Sequence, residues 1–148
     1  MKKLLFVAIA ILFSTQLYAQ ILKPVKWSYG FKKLGKGEAM IFMKATIDDG
    51  WHLYSQTVKD GGPIKTTFTF PASAAYTLIG KTIEPTPFTR NEKVFNMDVS
   101  FFEHSVIFQQ KVKLKTGQAT VKGTLEFMTC NDKQCLPPEN IEFSVAVK

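Results

Sequence analysis

Apolar residues recur at every second position in several short segments, and this period of two constrains the fold more than any other feature. A helix would space its apolar residues three or four apart, whereas alternation places one face of a β-strand on a core. The apolar positions of the four clearest segments are Ala39, Ile41, Met43, Ala45 and Ile47; Val106, Phe108, Val112 and Leu114, interrupted by Gln110; Val121, Gly123, Leu125 and Phe127; and Ile141, Phe143, Val145 and Val147. Each segment is therefore predicted to be a half-buried strand.

Shorter runs of aromatic and β-branched residues, at 27–29, 66–70 and 76–79, add further β-prone segments. Turn signals rich in Gly, Pro and Asp separate the segments. About seven or eight short strands with such turns predict an all-β fold, an antiparallel immunoglobulin-like β-sandwich. Residues 85–102 do not fit the pattern, so we predict a long loop there, and loops of this length are often functional.

The N-terminus has the organisation of a secretory signal peptide. Lys2 and Lys3 precede an apolar run at 4–13 that is too short to span a bilayer, and Ala19 supplies the small residue of a cleavage site. We predict a signal peptide at residues 1–19 and one domain at 20–148. No later stretch approaches the length of a membrane span, so we expect no stable membrane insertion after cleavage, and a monomer.

The formal net charge is +7, but the lysines are scattered. Lys111, Lys113 and Lys115 alternate with apolar residues, which indicates the outer face of one strand rather than a groove for phosphates. We therefore expect no nucleic-acid partner and only a weak preference for acidic ones.

Cys130 and Cys135 are the only cysteines, and four residues separate them. In an exported chain they would meet conditions in which disulfides persist. A turn beginning at Asn131-Asp132 could bring them together, but a ring of about six residues would stabilise the fold by only about 2 kcal/mol. A redox pair suits a short, accessible ring better, and the stiff apolar run Leu136-Pro137-Pro138 beside it could dock a partner. The spacing alone leaves both interpretations open, and it is not the Cys-x-x-Cys of thioredoxins.

Other chemistries find little support in the sequence. His52 and His104, the only histidines, form no common zinc pattern with the two cysteines. No G-x-S-x-G or H-E-x-x-H motif occurs. We expect no metal and no cofactor. The alternatives to a redox domain are a non-catalytic immunoglobulin-like binding module with a structural disulfide and, more remotely, a metal carrier.

Three segments together resemble a known family. Residues 130–139, which end in Cys-Leu-Pro-Pro-Glu, resemble the active-site hairpin of the N-terminal periplasmic domain of the thiol:disulfide interchange protein DsbD. Residues 49–55 resemble the aspartate-glycine-aromatic-x-leucine-tyrosine strand of that domain, and Phe95 follows a charged run as the cap-loop phenylalanine of the family does. The resemblance covers roughly residues 25–148.

The resemblance implies a periplasmic immunoglobulin-like domain that passes electrons through its cysteine pair, without a cofactor. Its partners would be thioredoxin-like periplasmic proteins or a membrane thiol reductase, as part of protein-disulfide reduction. In the family the second cysteine forms the mixed disulfide with a partner and the first resolves it. These roles fall here to Cys135 and Cys130.

The resemblance also implies roles for the residues around the pair. Phe95 would shield the sulfurs until a partner displaces it, with Phe88 of the same segment as the alternative cap, and Tyr54 and His52 would line the site. Familiar members place one residue more between the cysteines. They also continue into a membrane domain and a thioredoxin-like domain, whereas this sequence ends at Lys148, so the resemblance does not identify the electron donor.

Overall fold

The structure is a computed structural model that describes residues 22–93 and 95–148. The predicted signal peptide, residues 1–19, lies outside the described residues. All named elements are strands: β1 (Val25–Gly35), β2 (Glu38–Ile47), β3 (Trp51–Tyr54), β4 (Thr67–Thr69), β5 (Tyr76–Ile83), β6 (Phe88–Glu92), β7 (Met97–Phe102), β8 (Ser105–Leu114), β9 (Ala119–Phe127), β10 (Thr129–Asn131) and β11 (Glu139–Val147). In this part of the chain no helix is long and apolar enough to cross a bilayer.

The strands form three sheets, with the orders β1-β2-β8-β5, β11-β9-β4 and β10-β3-β7-β6. Every pairing between strands is antiparallel. The predicted all-β, antiparallel immunoglobulin-like sandwich is confirmed. The described residues form eleven strands rather than the predicted seven or eight, and the additional ones are the short strands β3, β6, β7 and β10.

The main core lies between the first two sheets and receives side chains from one face of the third. The four alternating segments are β2, β8, β9 and β11, and their predicted inward positions are buried except for the half-buried Ile141. Gln110 is also buried, at 1% exposure, in the middle of the inner face of β8. Its amide accepts a hydrogen bond from the Thr82 hydroxyl (2.9 Å) and donates to the Lys111 carbonyl (2.9 Å). These bonds offset the cost of burying the amide.

The prediction of a long loop over residues 85–102 is wrong, since β6 and β7 form a hairpin there. One face of the hairpin is polar. On it, cross-strand hydrogen bonds join Thr89 to Ser100 (3.0 Å) and Asn91 to Asp98 (3.1 Å). Such pairs stabilise a hairpin without a second apolar face. On the other face of β6, Arg90 and Glu92 pair with Val99 and Met97, so β6 itself shows no alternation of apolar and polar residues.

The sheet β10-β3-β7-β6 carries apolar side chains on both faces. Trp51, Leu53 and Phe102 belong to the main core. Because successive residues of a strand point to opposite faces, Tyr54 and Phe101 lie on the other side of the same sheet. There they form a second, smaller core that includes Cys130. All four residues of β3 are buried as a result.

Candidate redox site at the cysteine hairpin

Cys130 and Cys135 lie opposite each other in a tight hairpin that begins at the end of β10. The amides of Asn131 and Leu136 donate to the carbonyls facing them, both at 2.9 Å. These bonds flank the cysteines, so the cysteines occupy a non-hydrogen-bonded position, where antiparallel strands bring Cα atoms closest. The two Cα atoms are 4.0 Å apart and the sulfurs are bonded.

The side chain of Asn131 shapes the tip of the hairpin. Its Oδ1 accepts hydrogen bonds from the amides of Lys133 (2.9 Å) and Gln134 (2.8 Å). An asparagine that accepts hydrogen bonds from the amides two and three positions later in this way stabilises a turn. The four residues between the cysteines therefore close a compact loop, as the turn signal at Asn131-Asp132 predicts.

The two sulfurs differ in their access to solvent. Cys130 is 2% exposed and belongs to the second core, whereas Cys135 is exposed. Beside Cys135, Leu136 is half-buried against the main core, and Pro137 and Pro138 are exposed. An incoming thiolate can therefore reach Cys135 more readily than Cys130, and access is one of the factors that determine which sulfur is attacked.

The second core surrounds Cys130 with apolar side chains from several segments. The buried members are Tyr54, Val58, Val99, Phe101 and Cys130, and the half-buried residues packed against them are Phe95, Met97 and Met128. Phe95 follows β6 in the turn of the β6–β7 hairpin. This hairpin therefore brings a phenylalanine from the other edge of the sheet to the core that contains Cys130.

The two candidate cap residues occupy different environments. Phe95 is half-buried and packs in the second core, whereas Phe88 is 64% exposed. The Phe88 ring lies 6.2 Å from the ring of Phe101 and is absent from the second core. Of the two, only Phe95 shares a cluster with Cys130.

His52 and Tyr54 lie on the same face of β3 as the second core. In the ladder between β3 and β10, His52 is the direct partner of Cys130. Its Nε2 is 3.2 Å from the hydroxyl of Tyr54, and the two rings meet edge to face at 5.2 Å. Both expected lining residues are therefore buried beside the hairpin, at 3% and 1% exposure.

Burial shifts the acid–base equilibria of both side chains. Loss of solvent lowers the pKa of His52 below its ordinary value of 6.5; the charge of Arg90 acts in the same direction, and those of Glu92, Glu103 and Asp132 oppose it. Burial raises the pKa of Tyr54 to about 12. Near neutral pH the imidazole is therefore mostly uncharged and the phenol keeps its proton.

Arg90 is a site residue that the sequence patterns did not indicate. Its guanidinium carbon lies 4.6 Å from the centre of the Phe101 ring, and its Nε donates to Glu92 at 2.6 Å. Its Nη2 is 3.9 Å from Asp132, at the tip of the cysteine hairpin. Arg90 thus connects the β6–β7 hairpin to the cysteine hairpin. It is the only arginine of the sequence, but no local pattern indicates these contacts.

The sequence matches the family model described as thiol:disulfide interchange protein DsbD, N-terminal, over residues 19–146. It matches no curated protein significantly. The fold is similar to that of the N-terminal periplasmic domain of ScsB from Proteus mirabilis, with a TM-score of 0.60 and 16% identity. That match covers 85% of this chain and 47% of the other, so the present chain spans about half the length of that ScsB domain.

Two further similar structures come from Neisseria meningitidis. The DsbD N-terminal domain in its reduced form gives a TM-score of 0.57 at 14% identity, covering 85% of this chain and 90% of that one. The complex between the DsbD and PilB N-terminal domains gives 0.55 at 13% identity, covering 84% and 87%. At these identities the structures show a shared fold. Because the family model spans most of the sequence, including the cysteine hairpin, the chain belongs to the family of the N-terminal domain of the thiol:disulfide interchange protein DsbD.

Proposed function

We propose that this domain exchanges the Cys130–Cys135 disulfide with thioredoxin-like partner proteins and so passes electrons between them. The observation that carries the proposal is the unequal exposure of the two bonded sulfurs, with Cys135 open to solvent and Cys130 in an apolar core. A structural bond needs no such asymmetry. An exchanging pair needs one sulfur that a partner can reach and one that is held ready beneath it.

In the reductive direction, a thiolate of a partner dithiol attacks Sγ of Cys135. The Cys130–Cys135 bond breaks, and its electron pair leaves with Cys130, which takes up a proton. The second thiol of the partner then loses its proton and attacks the partner's own sulfur in the mixed disulfide. Cys135 is released and takes up a proton. The domain has gained two electrons and two protons, and the partner leaves as a disulfide.

Transfer to an oxidised client runs through the same bonds in reverse. Cys135 attacks the client disulfide and forms a mixed disulfide. Cys130 then attacks Cys135, which restores the Cys130–Cys135 bond and releases the client as a dithiol. Cys135 thus carries the mixed disulfide in both directions, whereas Cys130 is the leaving group in the first direction and the resolving thiol in the second.

The segments around the pair have supporting roles in this proposal. Phe95 covers the pair and moves aside when a partner docks, and its packing in the second core supports this role better than the exposed position of Phe88 does. Leu136, Pro137 and Pro138 form the surface on which a partner docks. One chain supplies both sulfurs and the residues around them, so a monomer suffices.

The domain would work in the periplasm, after removal of a signal peptide at residues 1–19. Membership of the DsbD N-terminal family supports this location, and the similar ScsB domain is a periplasmic one. The proposed electron donor is a thioredoxin-like periplasmic protein or a membrane thiol reductase. The Neisseria DsbD domain forms a complex with the N-terminal domain of PilB, and a protein of that kind is the proposed client.

Trapping with single-cysteine variants tests the proposal. Cys130→Ser leaves the accessible Cys135 and should accumulate a stable mixed disulfide with a thioredoxin-like domain. Cys135→Ser leaves only the buried Cys130 and should accumulate little of this mixed disulfide. The double serine variant serves as the control. Mass spectrometry after acid quenching measures each product. Equal trapping by the two single variants, or none by Cys130→Ser, would contradict the proposal.

The reduction potential of the pair distinguishes the proposed exchange from the binding-module alternative. Exchange proteins lie between about −180 and −270 mV, whereas structural disulfides lie below about −300 mV. We expect a value in the first range from equilibration with glutathione or dithiothreitol. A value below the second limit would favour a non-catalytic module whose disulfide only holds the hairpin.

A further inference from the structure

The position of His52 opposite Cys130 has chemical consequences for the resolving thiol. Thr129 and Asn131 direct their backbone groups toward the Cys135 side of the hairpin. Because these groups alternate in direction along a strand, those of Cys130 point toward β3, where His52 is its partner. Directly opposed residues place their side chains on the same face, with Cβ atoms about 4.5–5.5 Å apart. The side chains of His52 and Cys130 are thus neighbours on the same face of the sheet.

Cys130 needs a proton acceptor when it acts. The nucleophile in disulfide exchange is the thiolate, so the thiol must lose its proton before it can attack. Cys130 is 2% exposed and surrounded by apolar side chains, so water has little access to it. A thiolate that forms in such surroundings without a partner is costly. The group that removes the proton should therefore lie inside the second core.

We propose that the imidazole of His52 accepts the proton of the Cys130 thiol when this thiol resolves a mixed disulfide held on Cys135, and that the Tyr54 hydroxyl orients the ring through its hydrogen bond with Nε2. This inference rests on the proposed thiol:disulfide exchange and deepens it. It assigns the proton of the resolving step to a residue of this chain.

In this step the Cys130 S–H bond breaks, and its proton moves to the uncharged imidazole. The resulting thiolate forms a bond with Sγ of Cys135, while the bond between Cys135 and the partner sulfur breaks. The departing partner carries away two electrons as a thiolate. The imidazolium then returns its proton to solvent or to the departing thiolate, so that the net products are an oxidised pair and a partner thiol.

The charges that face His52 are compatible with this role. The positive charge of Arg90 on β6 disfavours an imidazolium. The negative charges of Glu92 on β6, Glu103 and Asp132 favour one. Burial outweighs the carboxylates, so His52 enters the step uncharged, which is the form that can accept a proton. The carboxylates in turn stabilise the imidazolium once it has formed. Tyr54, whose phenol remains protonated, takes no part as a base.

A chromogenic aryl disulfide separates the two steps in the reduced full chain. Attack by Cys135 releases one coloured thiolate, and resolution by Cys130 releases the second. We expect His52→Phe to slow the second release about tenfold at pH 7, since an unassisted thiol is only a few per cent ionised there. The first release should be unchanged. The difference between the two proteins in the rate of the second release should disappear at alkaline pH, where the Cys130 thiol ionises without a base.

A second variant keeps the test decisive if His52→Phe does not fold. His52→Gln retains a polar side chain but cannot take up a proton, so it should show the same slow and steeply pH-dependent second release. His104→Asn, at the other and exposed histidine, is the matched control and should behave as the unmodified protein. His104 has a φ of 60°, a conformation that asparagine tolerates.

The outcomes distinguish this inference from the proposed function. A second release with the rate and pH dependence of the unmodified protein in both His52 variants would overturn the role of His52. The second release could instead be fast in the unmodified protein while Cys130→Ser traps no thioredoxin-like domain. That result would overturn exchange with such partners and leave the role of His52 standing.

Discussion

At the scale of single residues, Asn131 determines the shape of the hairpin that holds the two sulfurs. Its carboxamide accepts two backbone hydrogen bonds at the tip. Because Asn131→Ala removes both, we expect the oxidised protein to lose about 1 kcal/mol of its free energy of unfolding, measured by urea denaturation. Asp132→Ala is the neighbouring control and should change it by less than about 0.5 kcal/mol, since the Asp132 carboxylate is 90% exposed. Equal effects of the two substitutions would contradict this account of the turn.

His52 makes stability depend on pH in a defined direction. Its pKa in the folded protein is below 6.5, so the unfolded chain takes up the proton first as the pH falls. The free energy of unfolding should therefore decrease from about pH 6.5 down to the lowered pKa. His52→Phe should remove this contribution. Denaturation curves between about pH 5 and 7.5 measure the difference between the two proteins; a difference that does not vary with pH would contradict the prediction.

At the scale of elements, the β6–β7 hairpin carries the proposed cover of the site. Phe95 in its turn packs in the second core, whereas Phe88 on β6 is exposed. We expect Phe95→Ala to accelerate reduction of the disulfide by a small thiol several-fold, because the pair loses an apolar cover. Phe88→Ala removes a ring of the same size from the same hairpin and should leave the rate near that of the unmodified protein. Acceleration by Phe88→Ala alone would assign the cap to Phe88.

The sequence predicted some elements well and others poorly for a physical reason. The strands β2, β8, β9 and β11 bury one face and expose the other, so alternation alone predicts them. Strand β6 instead carries Arg90 and Glu92 on the same face as Phe88, so both of its faces are largely polar. Alternation then carries less information, and the segment resembles a loop. Strand β10, with only three residues, is too short to show any period.

The candidate site also has features that the sequence predicts and features that it does not. The cysteine hairpin can be predicted because its turn, spacing and prolines are local in the sequence. The role of Arg90 cannot be predicted in this way, because its contacts are with Phe101 on the next strand and with Asp132 on a hairpin more than forty positions away. Likewise, only the register between β3 and β10 places His52 opposite Cys130. Local patterns do not encode register between distant strands.

At the scale of the whole molecule, two cores share one sheet and serve different purposes. The main core joins the three sheets, whereas the second core contains Cys130 and receives Phe95, its proposed cover. Strand β3 contributes to both, through Leu53 on one face and Tyr54 on the other. Changes far from β3 should therefore affect the stability of the sandwich without altering the chemistry of the sulfurs.

Gly123 on β9 allows a direct test of this separation. A Cβ atom there would lie 2.5 Å from the Phe143 ring and 3.0 Å from the Thr69 carbonyl oxygen. Gly123→Ala should therefore overpack the main core and lower the free energy of unfolding by about 1–3 kcal/mol. On β1, a Cβ at Gly30 would meet no atom within 4 Å. Gly30→Ala should cause no loss and could add up to about 1 kcal/mol, because alanine has less conformational entropy to lose.

The same two variants decide whether the cores are energetically separate. Since neither glycine belongs to the second core, both variants should retain the reduction potential of the Cys130–Cys135 pair under conditions in which they remain folded. Their rates of reduction by a small thiol should also match that of the unmodified protein. A shift of the reduction potential in Gly123→Ala alone would mean that strain in the main core affects the two sulfurs. Strand β3, which contributes to both cores, would then be the element that transmits it.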